Sequence, residues 1–213
     1  MPFDLASLLQ ELVVVLPAVL FAITFHEVAH GWTADRLGDP TARLAGRLTL
    51  NPIAHLDPIG ALMMVLVKFG WAKPVPVNPM NLRHPLRDMI WVASAGPAAN
   101  LILSAASLLL YRWSGGLATP FVAEPLRELL KWSFIINLNL AAFNLIPIPP
   151  LDGSQILKGV LPRRHLPAFE RIEPYGFLIL VLFLAVPGMA QTVLGPLVSV
   201  LYAGIRFTLS PLL

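Results

Sequence analysis

Long uncharged stretches alternate with short polar segments along the chain, and their lengths predict membrane-spanning helices. The first, Leu12–Phe25, reaches the required length of about 20 residues only if its helix continues through Trp32. Met89–Tyr111 carries no charge and is long enough to predict a second span. Trp132–Leu151 predicts a third span, which ends in a cluster of prolines.

The remaining apolar segments complete the predicted architecture. Tyr175 to Ile205 is uncharged, and Pro187-Gly188 within it predicts two helices joined by a tight turn, the alternative being one long tilted helix with an interfacial tail. Ile59–Val67 is too short to span, and prolines on both sides of it favour extended structure. The pattern predicts an all-α polytopic membrane protein with about five transmembrane helices and a re-entrant extended or β-loop element between the first and second.

Composition agrees with this fold class. The 213 residues are 56% hydrophobic and 13% charged, with a mean hydropathy of +0.72, which exceeds what a soluble domain of this size needs. We expect one integral membrane domain over residues 1–213, with a three-helix core at about 8–157 and a helical hairpin at about 172–209. The amino terminus lacks a basic region and a cleavage site, so the first span is expected to be retained.

The distribution of basic residues predicts the orientation. Seven Lys and Arg residues lie between the first and second spans and four follow the third, whereas the amino-terminal tail has none. The positive-inside rule then places the amino terminus outside and the ends of the first and third spans at the cytoplasmic face. We therefore read the basic pI as a topology signal and not as a sign of nucleic-acid binding. The absence of targeting segments fits a prokaryotic inner membrane.

A possible metal site lies at the end of the first span. His26 and His30 are four residues apart and share a helix face, so two imidazoles can bind one metal ion, and Glu27 can reach a water at that ion. Histidines that snorkel or cap carbonyls are the alternative. A spanning helix must carry these three residues below the membrane surface, where ionisable groups mark functional sites, so we favour the metal site.

The third ligand must be a carboxylate or another histidine, because the chain contains no cysteine. Asp152 follows the third span, at the membrane face where His30 is expected, and the prolines before it together with Gly153 can turn its carboxylate inward. An ordinary turn aspartate before glycine is the alternative. A site with two histidines and one carboxylate can bind zinc or Fe(II). Glu27, next to His26, favours hydrolysis over oxygen chemistry, so we favour zinc.

Other polar residues have less specific roles. Asn144 lies inside the third predicted span, where its amide either joins helices or donates to a substrate carbonyl and stabilises an oxyanion. His55 either lines a water path or, as we favour, belongs to a loop. His84 and His165 lie in basic loops and are expected to be solvated.

Three motifs together resemble the site-2 protease family of intramembrane zinc metalloproteases. They are the segment from Phe25 to His30, the Gly96-Pro-Ala-Ala-Asn100 segment, and the segment from Asn144 to Gly153, and the resemblance covers about residues 12–157. It implies one Zn²⁺ per chain bound by His26, His30 and Asp152, with Glu27 as general base. It also implies that Asn144 contacts the substrate backbone and that Gly46–Pro79 forms the re-entrant element. We therefore expect a compact member of the family, without the PDZ and cystathionine-synthase-type domains of some relatives.

This resemblance implies an endopeptidase that cleaves transmembrane segments of other membrane proteins near the cytoplasmic face. The expected partners are a transmembrane-helix protein substrate and the lipid bilayer, and the sequence sets no oligomeric state. The alternative is a non-catalytic membrane protein that carries metal or binds transmembrane segments. A carrier should show repeated halves, and a pseudoprotease should have lost Glu27 or a ligand; neither feature is present.

Overall fold

A computed structural model describes residues 5–67, 70–116 and 119–212, and helices dominate these ranges. The helices are α1 (Leu5–Leu37), α2 (Thr41–Leu44), α3 (Pro58–Val67), α4 (Pro85–Trp113), α5 (Pro120–Asn144), α6 (Asp152–Val160), α7 (Leu166–Ile172), α8 (Gly176–Ala185) and α9 (Met189–Leu209). Within the same ranges there is no β-strand, only an isolated antiparallel bridge between Leu56 and Ala72. The all-α class is therefore confirmed, and the re-entrant β-loop stays a prediction.

Three helices in the described part of the chain are long and apolar enough to cross a membrane. They are α1 from Val13 onwards, α4 with the short turn that follows it, and α9. Helix α8 has 10 residues, about half the length that a span requires. Helix α5 has 25 residues but carries four charged side chains in its first half. The prediction of about five spans thus remains a prediction.

The third predicted span, Trp132–Leu151, is wrong at both ends. Helix α5 begins at Pro120, whose fixed φ suits the first position of a helix, so the charged residues that precede Trp132 belong to its amino-terminal turns. It ends at Asn144 because the prolines from Pro147 onwards cannot continue a helix. Asn144 and Asp152 therefore lie in different helices, separated by a compact turn.

Small and polar side chains hold α4 against α5. Asn100, Ser104 and Ser107 are all buried on one side of α4. The Ser104 hydroxyl donates to the carbonyl of Phe134 at 3.1 Å, and the Ser107 and Ser133 hydroxyls lie 2.9 Å apart. Because lipid offers no hydrophobic driving force between helices, close packing and such hydrogen bonds stabilise the pair.

The carboxyl-terminal segment supports the turn that precedes Asp152. Leu180 and Phe183 of α8 pack against Ile146 and Leu151 of the turn in one buried cluster. Helices α8 and α9 are separate, as the first interpretation of the 175–205 segment predicted, and Gly188 between them adopts a φ of 82°. This positive φ suits glycine, which has no Cβ. The carboxyl-terminal helices thus fix the element that carries the third candidate ligand.

Candidate metal centre

The two histidines of α1 face the same point. The Nε2 atoms of His26 and His30 lie 3.0 Å apart, and the rings meet edge to face. This follows from the helix, because residues four positions apart lie one above the other on the same face. His26 is buried, and the side chain of His30 is only 11% exposed. The predicted sharing of a face is confirmed.

Asp152 reaches the same point from the first turn of α6. Its Oδ2 atom lies 3.1 Å from His26 Nε2 and 3.3 Å from His30 Nε2. Gly153 permits this placement, because a Cβ at that position would contact the carbonyl groups of Leu145 and Ile146. The turn of prolines and glycine therefore directs the Asp152 carboxylate towards the histidines, as the sequence predicted.

Hydrogen bonds at the other ring nitrogens determine which atoms face the centre. His30 Nδ1 lies 2.7 Å from the carbonyl oxygen of Val92, which only accepts, so Nδ1 carries the proton. His26 Nδ1 lies 2.6 Å from Asn100 Oδ1, and Asn100 donates through Nδ2 to the carbonyl of Ala22. The Asn100 amide is thereby oriented with its oxygen towards His26, so His26 Nδ1 also donates.

The three groups fit a zinc ion. Because both imidazoles are neutral and protonated at Nδ1, the Nε2 atom of each histidine directs a lone pair at the Asp152 carboxylate. No positive charge within this cluster balances the carboxylate. Asp152 Oδ2 is buried and has no hydrogen-bond donor, which is costly unless a cation binds it. Ligands at about 2.0 to 2.1 Å from a tetrahedral zinc lie about 3.3 Å apart, close to the three separations observed. Within the described ranges, only these residues form such a cluster of three.

Gly96 of α4 makes room for this cluster, a role that the sequence interpretation missed. A Cβ at residue 96 would contact His30 Nε2 and would lie 2.6 Å from the Cε1 atoms of His26 and His30. Any larger residue would therefore push the imidazoles aside. The sequence interpretation used this glycine only as part of the Gly96-Pro-Ala-Ala-Asn100 motif.

The predicted catalytic residues differ in their surroundings. Glu27 is half-buried on α1, and its Oε2 atom accepts a hydrogen bond from the backbone amide of Val75 at 2.8 Å. Asn144 is half-buried at the last position of α5, and its Nδ2 atom donates to the carbonyl of Leu140 at 3.0 Å. One hydrogen of the Asn144 amide is thus used within its own helix, and a second remains for another acceptor.

The remaining histidines lie outside the cluster. His84 and His165 are exposed, as predicted. His55, which we expected to belong to a loop, ends the short 3-10 helix Pro52–His55, is only 1% exposed, and has its Nε2 atom 2.8 Å from the carbonyl oxygen of Thr49. His55 therefore stabilises the segment that follows α2.

Comparison with known proteins agrees with this geometry. Residues 116–187 match Peptidase family M50. A Bacillus subtilis protein named "Putative zinc metalloprotease YwhC" is 36% identical over 91% of this chain and 88% of its own length. The chain belongs to peptidase family M50. A Mycolicibacterium smegmatis protein named "Putative zinc metalloprotease Rip2" is 32% identical over 83% of this chain and 68% of its own length. No solved structure matches the chain significantly.

Membership of M50, the site-2 protease family, confirms the resemblance drawn from the three motifs. This M50 peptidase is a metalloprotease and an integral membrane protein. The names of its relatives support zinc over the Fe(II) alternative, and they support an enzyme over a metal carrier or a pseudoprotease.

Proposed function

We propose that this M50 peptidase is an intramembrane endopeptidase that hydrolyses peptide bonds within the transmembrane segments of other membrane proteins, using one zinc ion per chain. The observation that carries the proposal is the convergence of His26, His30 and Asp152, with a buried Asp152 oxygen that lacks a donor. Two of these residues belong to a helix apolar enough to span the membrane. Ionisable groups are costly at that depth, so a substrate that itself lies in the membrane explains their position.

Zinc held by His26, His30 and Asp152 would supply a Lewis acid that polarises a carbonyl and acidifies water. In the proposed reaction Glu27 takes the proton from the attacking water and passes it to the leaving amine. Asn144 donates the second hydrogen of its amide to the substrate carbonyl, where negative charge develops. The substrate must unwind first, because the carbonyls of a helix are occupied by its own hydrogen bonds.

We propose the inner membrane of a prokaryote as the location, with the amino terminus outside and the centre near the cytoplasmic face. The basic residues between α1 and α4 support this orientation through the positive-inside rule. The same face supplies water to the centre. The expected partners are the lipid bilayer and a single-span or polytopic protein whose helix unwinds at the centre.

The test is cleavage of a defined membrane peptide. The purified protein is reconstituted with a synthetic leucine-rich single-span peptide that has a Gly-Ser pair at its centre and a fluorophore and quencher at its ends, here called the leucine-rich reporter. We expect cleavage that stops when a zinc chelator is added and resumes when zinc is restored.

Glu27→Gln should keep its zinc and lose cleavage, whereas Glu124→Gln, a change at an exposed glutamate of α5, should cleave at the normal rate. Full cleavage by Glu27→Gln, or cleavage unaffected by the chelator, would refute the proposed function.

A further inference from the structure

The segment of residues 73–78, Lys-Pro-Val-Pro-Val-Asn, runs beside α1 and is called the strap below. It lies between the described residues of α3 and α4 and adopts no helix. Proline has no backbone N–H, so from residue 74 to residue 76 the strap offers a single amide hydrogen, that of Val75. This one donor is directed at the carboxylate of Glu27, with Val75 N and Glu27 Oε2 2.8 Å apart.

The strap and α1 are in close contact at this point. Val75 is only 6% exposed. A Cβ added at Gly31, four residues after Glu27 on α1, would lie 2.7 Å from Val75 Cγ1. The absence of a side chain at residue 31 therefore lets the strap approach α1 closely enough for its amide to reach Glu27.

The amino-terminal end of the strap is anchored to the segment that follows α2. The Lys73 amide donates to the carbonyl of His55 at 2.9 Å, and the Lys73 carbonyl accepts from Arg47 Nη2 at 2.9 Å. His55 is itself fixed by its contact with the Thr49 carbonyl. This end is therefore held through backbone groups that do not depend on the Lys73 side chain.

The carboxyl-terminal end is anchored by a buried acid just beyond α1. Asp39 is fully buried, and its Oδ2 atom accepts from the Asn78 amide at 2.7 Å. Its Oδ1 atom accepts from Asn81 Nδ2 at 2.9 Å and from Thr41. Burial alone would raise the pKa of Asp39, but the hydrogen bonds from Thr41 and Asn81 hold its pKa below the usual value. The carboxylate is therefore charged and firmly bound at neutral pH.

We propose that the Val75 amide is a positioning group for Glu27, an inference that rests on the proposed role of Glu27 as general base. A carboxylate on a helix can rotate, and only one of its oxygens is needed to take a proton. The Val75 amide occupies Oε2, which leaves Oε1 to face the water that attacks the substrate. The two anchors hold the strap in place, so it orients Glu27 and does not act as a lid.

The test removes the amide hydrogen alone. In Val75→Pro the N–H is lost, and a proline fits because Pro76 already restricts residue 75 to extended conformations. We expect kcat for the leucine-rich reporter to fall about 10-fold to 100-fold, the loss that follows a displacement of a catalytic group by about 1 Å. KM and zinc content should stay at the wild-type level.

Val75→Ala is the matched control, since it keeps the amide and shortens the side chain that lies against Gly31. Because the amide hydrogen is kept, kcat for Val75→Ala should lie well above that for Val75→Pro. Equal kcat values for Val75→Pro and Val75→Ala would overturn the proposal. A higher kcat for Val75→Pro would also overturn it, because the strap would then restrain Glu27 instead of positioning it.

A second variant decides the question if Val75→Pro does not fold or loses zinc. Replacement of Val75 by its α-hydroxy acid, which turns the amide into an ester and keeps the isopropyl side chain, should lower kcat in the same way. An ester variant with the wild-type kcat would overturn the proposal. Cleavage by Glu27→Gln would instead refute the proposed function itself, so the two failures are distinguishable.

Discussion

Substitution of Gly96 by alanine adds a single methyl group at the point where α4 faces both histidines, so it tests the geometry of the centre with a very small change. The added Cβ would lie 2.6 Å from the Cε1 atoms of both histidines, whereas ordinary contacts begin at 3.4 Å. Each imidazole must therefore move by at least about 0.8 Å or the helices must separate, while metal–ligand distances tolerate only about 0.2 Å. We expect zinc affinity to fall by about 10-fold to 100-fold, the range seen when groups that orient metal ligands are removed.

The assay is competition for zinc with a chelator of known affinity on the detergent-purified protein, with melting temperature as a second readout. Gly204→Ala is the control, since Gly204 is also helical and a Cβ there would meet nothing within 4 Å. Both variants gain about 1 kcal/mol of helix propensity, so only the contact with the histidines separates them. A wild-type dissociation constant for zinc in Gly96→Ala would refute the placement of α4 against the histidines.

Three further predictions concern residues that support the centre. Asn100→Leu should weaken zinc binding about 10-fold to 100-fold, because His26 loses its hydrogen-bond acceptor. Asn100→Asp, which keeps an acceptor for His26, and Ser104→Ala, in the same helix interface, should both bind zinc normally. Equal zinc affinities in all three variants would contradict the role of Asn100. Gly153→Ala should also weaken zinc binding, because its Cβ would contact the Leu145 carbonyl, and unchanged affinity in the same competition assay would count against it. Asp39→Asn should destabilise the protein by about 1 to 3 kcal/mol at neutral pH. The pKa of Asp39 is lowered in the folded protein, so its contribution to folding stability is complete above the ordinary carboxyl pKa of about 3.9 and is lost as pH falls through the lowered value. The difference in melting temperature between the wild type and Asp39→Asn should therefore become smaller in acid.

The histidine pair and Asp152 were predictable because their positions depend on rules that act over short distances. Helix periodicity alone places His26 and His30 on one face. Prolines and Gly153 end one helix and allow the next to start with Asp152 at its first position.

The other features depend on contacts between distant segments. Charged residues precede Trp132, so hydropathy placed the start of the third helix at Trp132. In the structure α5 begins at Pro120, and these charged residues lie in its first turns. Nothing near Val75 in the sequence indicates that its amide meets Glu27, 48 residues away. Nothing near Gly96 in the sequence indicates that two imidazoles occupy the space beside it.

The central claim is that one zinc ion is held jointly by α1 and α6. The most direct measurement is the zinc content per chain, by plasma mass spectrometry, of purified wild-type protein and of Asp152→Ala, with Glu170→Ala on the exposed face of α7 as the control. We expect one zinc per chain in the wild type and in Glu170→Ala, and a loss of zinc in Asp152→Ala. Full zinc content in Asp152→Ala, or wild-type protein that binds no zinc, would contradict this claim.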